Sequence, residues 1–301
     1  RRARPGAGGM TAILPRRGDS TGRSPRRAPQ PARSGVRVGR RRALVLGRVS
    51  AIGLLTFVWP LVVAPDSGFA HSSDGPWLFV LLVPLLLVVV AAEIADGGID
   101  AKAVAMLGVL AAVGAGLRVL GAGMSPLEPL FFLLILAGRA FGPAFGFVFG
   151  NLTLLAGALV TGGVGPWLPF QMLGAGWVAM GAGLLPRVRP RAERWLLAGY
   201  ALIAAFGYGL LLDLWFWPFL ASTTGGTELA YVAGAPLGEN LSRFAVFHLV
   251  TGLGWDIPRA LLSAALCLLV GPAVLTGLRR AARRAAFTAP VTFAEPSTSR
   301  S

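Results

Sequence analysis

Residues 101–120 read AKAVAMLGVLAAVGAGLRVL, with Lys102 near the start, Arg118 near the end and apolar or small side chains elsewhere. A helix rises 1.5 Å per residue, so this stretch reaches about 30 Å, the thickness of a bilayer's hydrocarbon core. Comparable apolar runs occupy 43–64, 76–95, 127–141, 143–162, 167–186, 194–217 and 254–278. The fold class that follows is an all-α integral membrane protein with about eight transmembrane helices. Composition agrees: 54% of the 301 residues are hydrophobic, 14% are charged and the mean hydropathy is +0.67. An average soluble domain has about 45–50% apolar and about 25% charged residues.

The formal charge of +15 belongs to the two tails. Residues 1–42 hold thirteen Arg against Asp19, and residues 279–301 hold five Arg against Glu295. The 236 residues between them carry ten basic and eleven acidic groups. Residues 1–42, rich in Arg, Pro, Gly and Ser without apolar periodicity, read as a disordered tail. A polybasic segment beside a first span is an orientation and anionic-lipid signal more simply than a nucleic-acid site, so no nucleic-acid partner is expected. The first Met is Met10, and the nine residues before it read as an upstream extension that is not always translated.

Cytoplasmic loops near span ends are enriched in Lys and Arg. Eight spans place the N-terminal tail, Arg139, the loop with Arg187, Arg189, Arg191 and Arg194, and the Arg279–Arg284 cluster on one side. Asp66, Asp74, Glu128, Glu228 and Glu239 fall on the other, against Arg243 alone. Both termini are therefore expected in the cytoplasm of a bacterial cell, and the short fourth span is kept. Counting 240–253 as a ninth span would move the Arg279–Arg284 cluster outside, so it reads as an external helix or capping loop. The stretch 218–253 then becomes the longest loop in the body.

Several chemistries are excluded. Cys267 is the only cysteine, which leaves no disulfide framework or thiolate cluster. Lys102, the only lysine, follows Ala101 and not a Gly-rich loop, so no Walker A phosphate cradle is present. No nucleophile–base pair, paired carboxylates or metal-ligand spacing appears; His71 with Asp66 and Asp74 is a weak metal signal. No catalytic residue, metal or cofactor is expected, and the protein does not read as an enzyme.

Within 101–120, Gly108, Ala112 and Gly116 recur at every fourth position, with Ala111 and Ala115 beside them. Helices associate in lipid through such small-residue faces, either inside one chain or against another subunit. Gly142, Gly146 and Gly150 repeat the spacing, where internal packing is the expected use. Trp167 and Gln171 share one face at an external helix start; an interfacial anchor is the plain account of Trp167. Asp213 lies one turn before Trp217 at the outer end of its span, either facing a cavity or close to headgroups. Trp255, Asp256 and Arg259 open the last span, with Asp256 near the helix's positive end and able to pair with Arg259 at i, i+3. His248 belongs to the capping segment. Snorkelling accounts for Arg118.

From Asp100 to Arg280 the chain resembles the substrate-binding S components of energy-coupling factor (ECF) transporters. The resemblance rests on Gly116-Leu117-Arg118, on Gly138-Arg139-Ala140-Phe141-Gly142-Pro143 and on Gly165-Pro166-Trp167 through Gln171. Trp255-Asp256-Ile257-Pro258-Arg259-Ala260 and Leu278-Arg279-Arg280 complete it. It implies a six-helix core over 96–280, two additional N-terminal helices over 43–95, and a cytoplasmic tail over 281–301. It further implies capture of a vitamin or related micronutrient from outside, for an ABC-type importer whose membrane coupling (T) subunit and two cytoplasmic ATPases are separate chains. The family's docking face carries over to Gly108, Ala111, Ala112, Ala115 and Gly116. Its outward pocket points to Trp167, Gln171, Asp213, Trp217, His248, Trp255, Asp256 and Arg259. An ATP-independent permease or exporter would show two related halves, and no repeat between 43–141 and 143–278 is evident. A membrane assembly factor or enzyme would need a reactive cluster.

Overall fold

The computed structural model describes residues 40–62, 82–93, 101–121, 127–224 and 229–285. The basic segment 1–39, the loop with Asp66, His71 and Asp74, the residues Asp96, Asp100 and Glu228, and the tail from 286 lie outside the described residues. Among the described residues all regular structure is helical: α1 Arg40–Phe57, α2 Trp59–Val62, α3 Leu82–Glu93, α4 Ala101–Gly121, α5 Leu130–Phe141, α6 Pro143–Thr161, α7 Leu168–Leu184, α8 Pro190–Thr224, α9 Leu237–Phe247, a π-helical turn His248–Gly252, α10 Leu253–Leu269 and α11 Gly271–Ala285. Among the described residues four stretches are long and apolar enough to cross a bilayer: Lys102–Gly121, Pro143–Thr161, Pro190–Leu220 and Leu237–Leu269. Ala43–Phe57 and Leu130–Phe141 are shorter apolar helices. The protein is an all-α, multi-pass membrane protein.

The centre of the bundle is α5, α6 and α7. Gly142, at φ 99°, takes a backbone conformation that side chains disfavour, and Pro143 supplies the preset φ of the next helix's first turn. The chain reverses there, so that a Cβ on Gly146 would stand 3.1 Å from the Gly138 Cα. Gly146 and Gly150 lie against the α7 backbone at Ala179 and Ala175, which is internal packing. The expected span 127–141 is thus a twelve-residue helix, about 18 Å long. It is too short to cross alone, and its buried run Leu133–Gly138 places it inside the bundle.

Helix α4 packs on α6. Gly114 meets Thr153 and Leu130, and Leu107, Leu110, Ala111 and Ala115 are buried. Gly108, Ala112 and Gly116 face outward, and a Cβ at either glycine would meet open space. The small-residue face therefore divides. Ala111 and Ala115, expected on a docking surface, belong to the interior, because the i+3 and i+4 neighbours of one stripe spread over more than one side of the helix.

Two further expectations change. The stretch 218–253 is not a long loop: α8 continues to Thr224, and α9 with the π turn forms one 33-residue helix with α10 from Leu237 to Leu269. Residues 240–253 are therefore helical and continuous with the last span. That span ends at Leu269, not at 278. After the turn at Val270, Gly271-Pro272 opens the amphipathic α11, whose Val274, Leu275 and Leu278 pack into the core while Arg280 and Arg283 stay exposed. A hydropathy reading merges the two helices because the inner face of α11 is as apolar as a span.

Helix α1 packs on α7 and α8. Phe57 meets Phe170 edge-on at 5.0 Å, the Trp177 indole N–H donates to Ser50 Oγ at 3.0 Å, and the Trp59 indole N–H donates to Trp215 O at 3.2 Å.

Candidate functional site

Ionisable side chains gather at the two ends of the bundle, which α5 and α8 separate. At one end Arg139 donates to Glu193 Oε1 at 2.7 Å and to the Leu185 and Pro186 carbonyls at 2.7 and 3.0 Å. Arg279 donates to both Glu193 oxygens at 2.8 and 2.7 Å. This network ties α5, α8 and α11, and the exposed Arg189, Arg191 and Arg194 adjoin it along the loop and the start of α8.

At the other end, about 30 Å along α8 from Glu193, lies a second cluster. It depends on how α8 and α10 meet. Gly209 and Asp213 on α8 are four residues apart, as are Gly252 and Asp256 on the Leu237–Leu269 helix. The two helices run antiparallel, so each glycine faces the other helix's aspartate. A Cβ on Gly209 would overlap the Asp256 carboxylate, and one on Gly252 would overlap Asp213 Oδ2 and stand 2.5 Å from His248 Nδ1. The missing side chains make the room in which the carboxylates sit.

His248 stands between the two acids. Its Nδ1 lies 2.7 Å from Asp213 Oδ2 and its Nε2 3.8 Å from Asp256 Oδ2. Arg259 donates to Asp256 Oδ1 at 2.8 Å and to Glu128 Oε2 at 2.9 Å. The rings of Phe131 and Tyr208 lie 5.1 and 5.2 Å from its guanidinium carbon, a cation–π setting. Asp256 is almost fully buried at 1% side-chain exposure and its Oδ2 has no hydrogen-bond partner, whereas Asp213 and Glu128 keep 27% and 29%. Since the helix runs through from Leu237, Asp256 is not at a free helix start as expected. Its stabilisation comes from Arg259.

The aliphatic part of Arg118 crosses α6 at Gly157, and its guanidinium donates to Gln171 Oε1 at 2.7 Å. Arg118 is thus bound to α7 and does not snorkel.

The structure therefore brings together Asp213, His248, Asp256 and Arg259, and places Gln171 with Arg118. Three tryptophans lie apart. Trp167 is 41% exposed; its indole lies over Gly165 and donates to Gly163 O at 3.1 Å. Trp255 is 58% exposed on the outer face of α10. Trp217 is buried in a separate apolar cluster with Leu214, Phe244 and Phe247, and its indole donates to Leu229 O at 2.7 Å. There it meets Tyr231 edge-on, whose phenol burial pushes upward in pKa. Asn240 clamps the same loop, donating to Val232 O at 2.9 Å and accepting from Val232 N–H at 3.2 Å. Glu128 and Tyr208 join the cluster without having been singled out for it. The sequence signal for the arrangement is the repeated Gly-x-x-x-Asp at 209–213 and 252–256. Among the described residues no group of three or more His, Cys, Asp or Glu is placed to hold a metal ion.

No curated protein and no solved structure matches the chain. The family model described as "ECF transporter, substrate-specific component" matches residues 102–276, more than half of the chain. That segment holds the whole bundle from α4 into α11 and every side chain of the polar cluster, and on this match the chain belongs to the family of substrate-specific components of ECF transporters.

Proposed function

We propose that this protein is the substrate-capture subunit of an ECF-type importer in the bacterial cell membrane. It binds a vitamin or related micronutrient from outside and delivers it through a separate membrane coupling subunit driven by two cytoplasmic ATPases. The family match over 102–276 carries this reading. The ligand is taken at the end of the bundle holding Gln171, Asp213, His248, Asp256 and Arg259, where ionisable groups within membrane helices are costly to keep without a role. The Arg-rich end with Arg139, Arg279 and the 187–194 loop supports a cytoplasmic placement of both termini. The outward Gly108, Ala112 and Gly116 of α4 are the face offered to the coupling subunit. The helices of 43–95 are an addition to the six-helix core, and α1 braces α7 and α8.

The experiment is co-expression with a coupling subunit and ATPase pair, purification through a tag on this chain, and mass spectrometry of small molecules retained after mild detergent extraction. A stable complex and a retained organic nutrient are expected, with retention reduced in Gln171→Ala and Asp256→Ala. Absence of the complex would refute the transporter reading. Unchanged retention in both variants would place the ligand elsewhere.

A further inference from the structure

The chemistry of the ligand follows from an imbalance inside the polar cluster. Among the described residues three carboxylates (Glu128, Asp213 and Asp256) gather around one guanidinium, that of Arg259, while Arg118 is held against the neutral amide of Gln171. Arg259 is shared between Glu128 and Asp256. Among the described residues Asp213 pairs with the His248 ring alone, and Asp256 Oδ2, almost fully buried, has no partner within hydrogen-bond reach. A buried carboxylate oxygen without a donor is costly, more so for a charged group than for a neutral one. The missing partner is a donor, and the local excess of negative charge favours a donor that is itself positive.

The geometry points to an organic cation with charged N–H donors as the ligand class, its N–H groups received by Asp256 Oδ2 and Asp213 beside His248. This rests on the capture-subunit reading and specifies its substrate. The two carboxylates come from different helices and converge because each faces a glycine of the other, so a cation reaching both alongside the His248 ring would be held by α8 and α10. The π-helical turn 248–252 lies at this same contact, with Gly252 opposite Asp213. Such under-wound turns recur at functional sites. An anionic ligand would bring a fourth negative group to the cluster. A neutral amide could donate to Asp256, but without compensating the charge.

The test uses the purified full chain in detergent and four probes of similar shape: benzamidine, benzamide, benzyltrimethylammonium and benzoate. Affinity is read by isothermal titration, with thermal unfolding as a second measure. Benzamidine is expected to bind best, with benzyltrimethylammonium weaker for lack of N–H donors, and benzamide and benzoate at least tenfold weaker. Asp256→Asn should weaken benzamidine at least tenfold, the loss of one charge-assisted hydrogen bond. Should Asp256→Asn fail to fold, Asp213→Asn, at a more exposed carboxylate, is expected to show the same loss. Equal or tighter binding of benzoate or benzamide, or an undiminished response in the folded variant, would overturn the proposal. So would no benzamidine binding at millimolar concentration. Co-purification with the coupling subunit is scored separately, so that loss of the cation proposal and loss of the transporter reading give different results.

Discussion

Replacing Gly209 by alanine tests the reciprocal contact on which the polar cluster is built. The added Cβ would overlap the Asp256 carboxylate, which cannot swing aside freely because Oδ1 is held by Arg259 at 2.8 Å. Either α8 and α10 separate, an overpacking strain of about 1–3 kcal/mol, or the carboxylate leaves Arg259 and forfeits a charged hydrogen bond of about 1.5–3 kcal/mol. Alanine returns about 1 kcal/mol of helix propensity. Net of that gain, either route leaves a loss of up to about 2 kcal/mol. Gly207, two residues away on the same helix, has open space where its Cβ would stand. Gly207→Ala should therefore be neutral or slightly stabilising, and the pair isolates the contact from propensity. Thermal unfolding of both variants in one detergent is the assay, with circular dichroism to confirm equal helicity. If Gly209→Ala melts with Gly207→Ala, the two helices do not meet as described and the reasoning fails.

Three other outcomes are expected. Glu193→Gln leaves Arg139 and Arg279 without their shared carboxylate, and the loss of about 3 kcal/mol for a mostly buried pair should lower the melting temperature. Ala111→Leu should destabilise the isolated protein by about 1–3 kcal/mol through overpacking against α6. Ala112→Leu, on the outward face, should leave melting unchanged yet reduce recovery of the coupling subunit in pull-downs; equal behaviour of the two would refute the division of that helix. Trp217→Ala should cost about 3–5 kcal/mol, as for other large buried aromatics, and increase proteolysis near 229–236, because the indole holds that loop through Leu229.

The helical membrane character, the run 101–120 and the separation of charge into tails were legible in the sequence because hydropathy and charge add up along the chain. So was the pairing of Asp256 with Arg259, one turn apart on any helix. The boundary between α10 and α11 was not: the inner face of an amphipathic helix adds enough apolar residues to extend a hydropathy run past Gly271-Pro272. Nor was the continuity of 237–269, since loop charge argued against a further span and said nothing about helix. Trp167, Trp217 and Trp255 look alike by type and position, yet one folds over its own loop, one fills an apolar cluster and one faces outward. Arg118 could be read as snorkelling until Gly157 and Gln171 showed where the side chain lies.

Hydropathy and charge along the chain suffice to make it an all-helical membrane protein with a nearly neutral body, and its motifs point to the S-component family. Helix packing sets which side of α4 is interior, lets Glu128 share Arg259 with Asp256, and turns the two Gly-x-x-x-Asp segments toward one another. The physical reason lies in the solvent. Lipid offers apolar faces no drive to pair, so helix contacts are chosen by close backbone approach and by polar groups that must find partners. Both depend on which face of one helix meets which face of another, and no local property of the chain contains that.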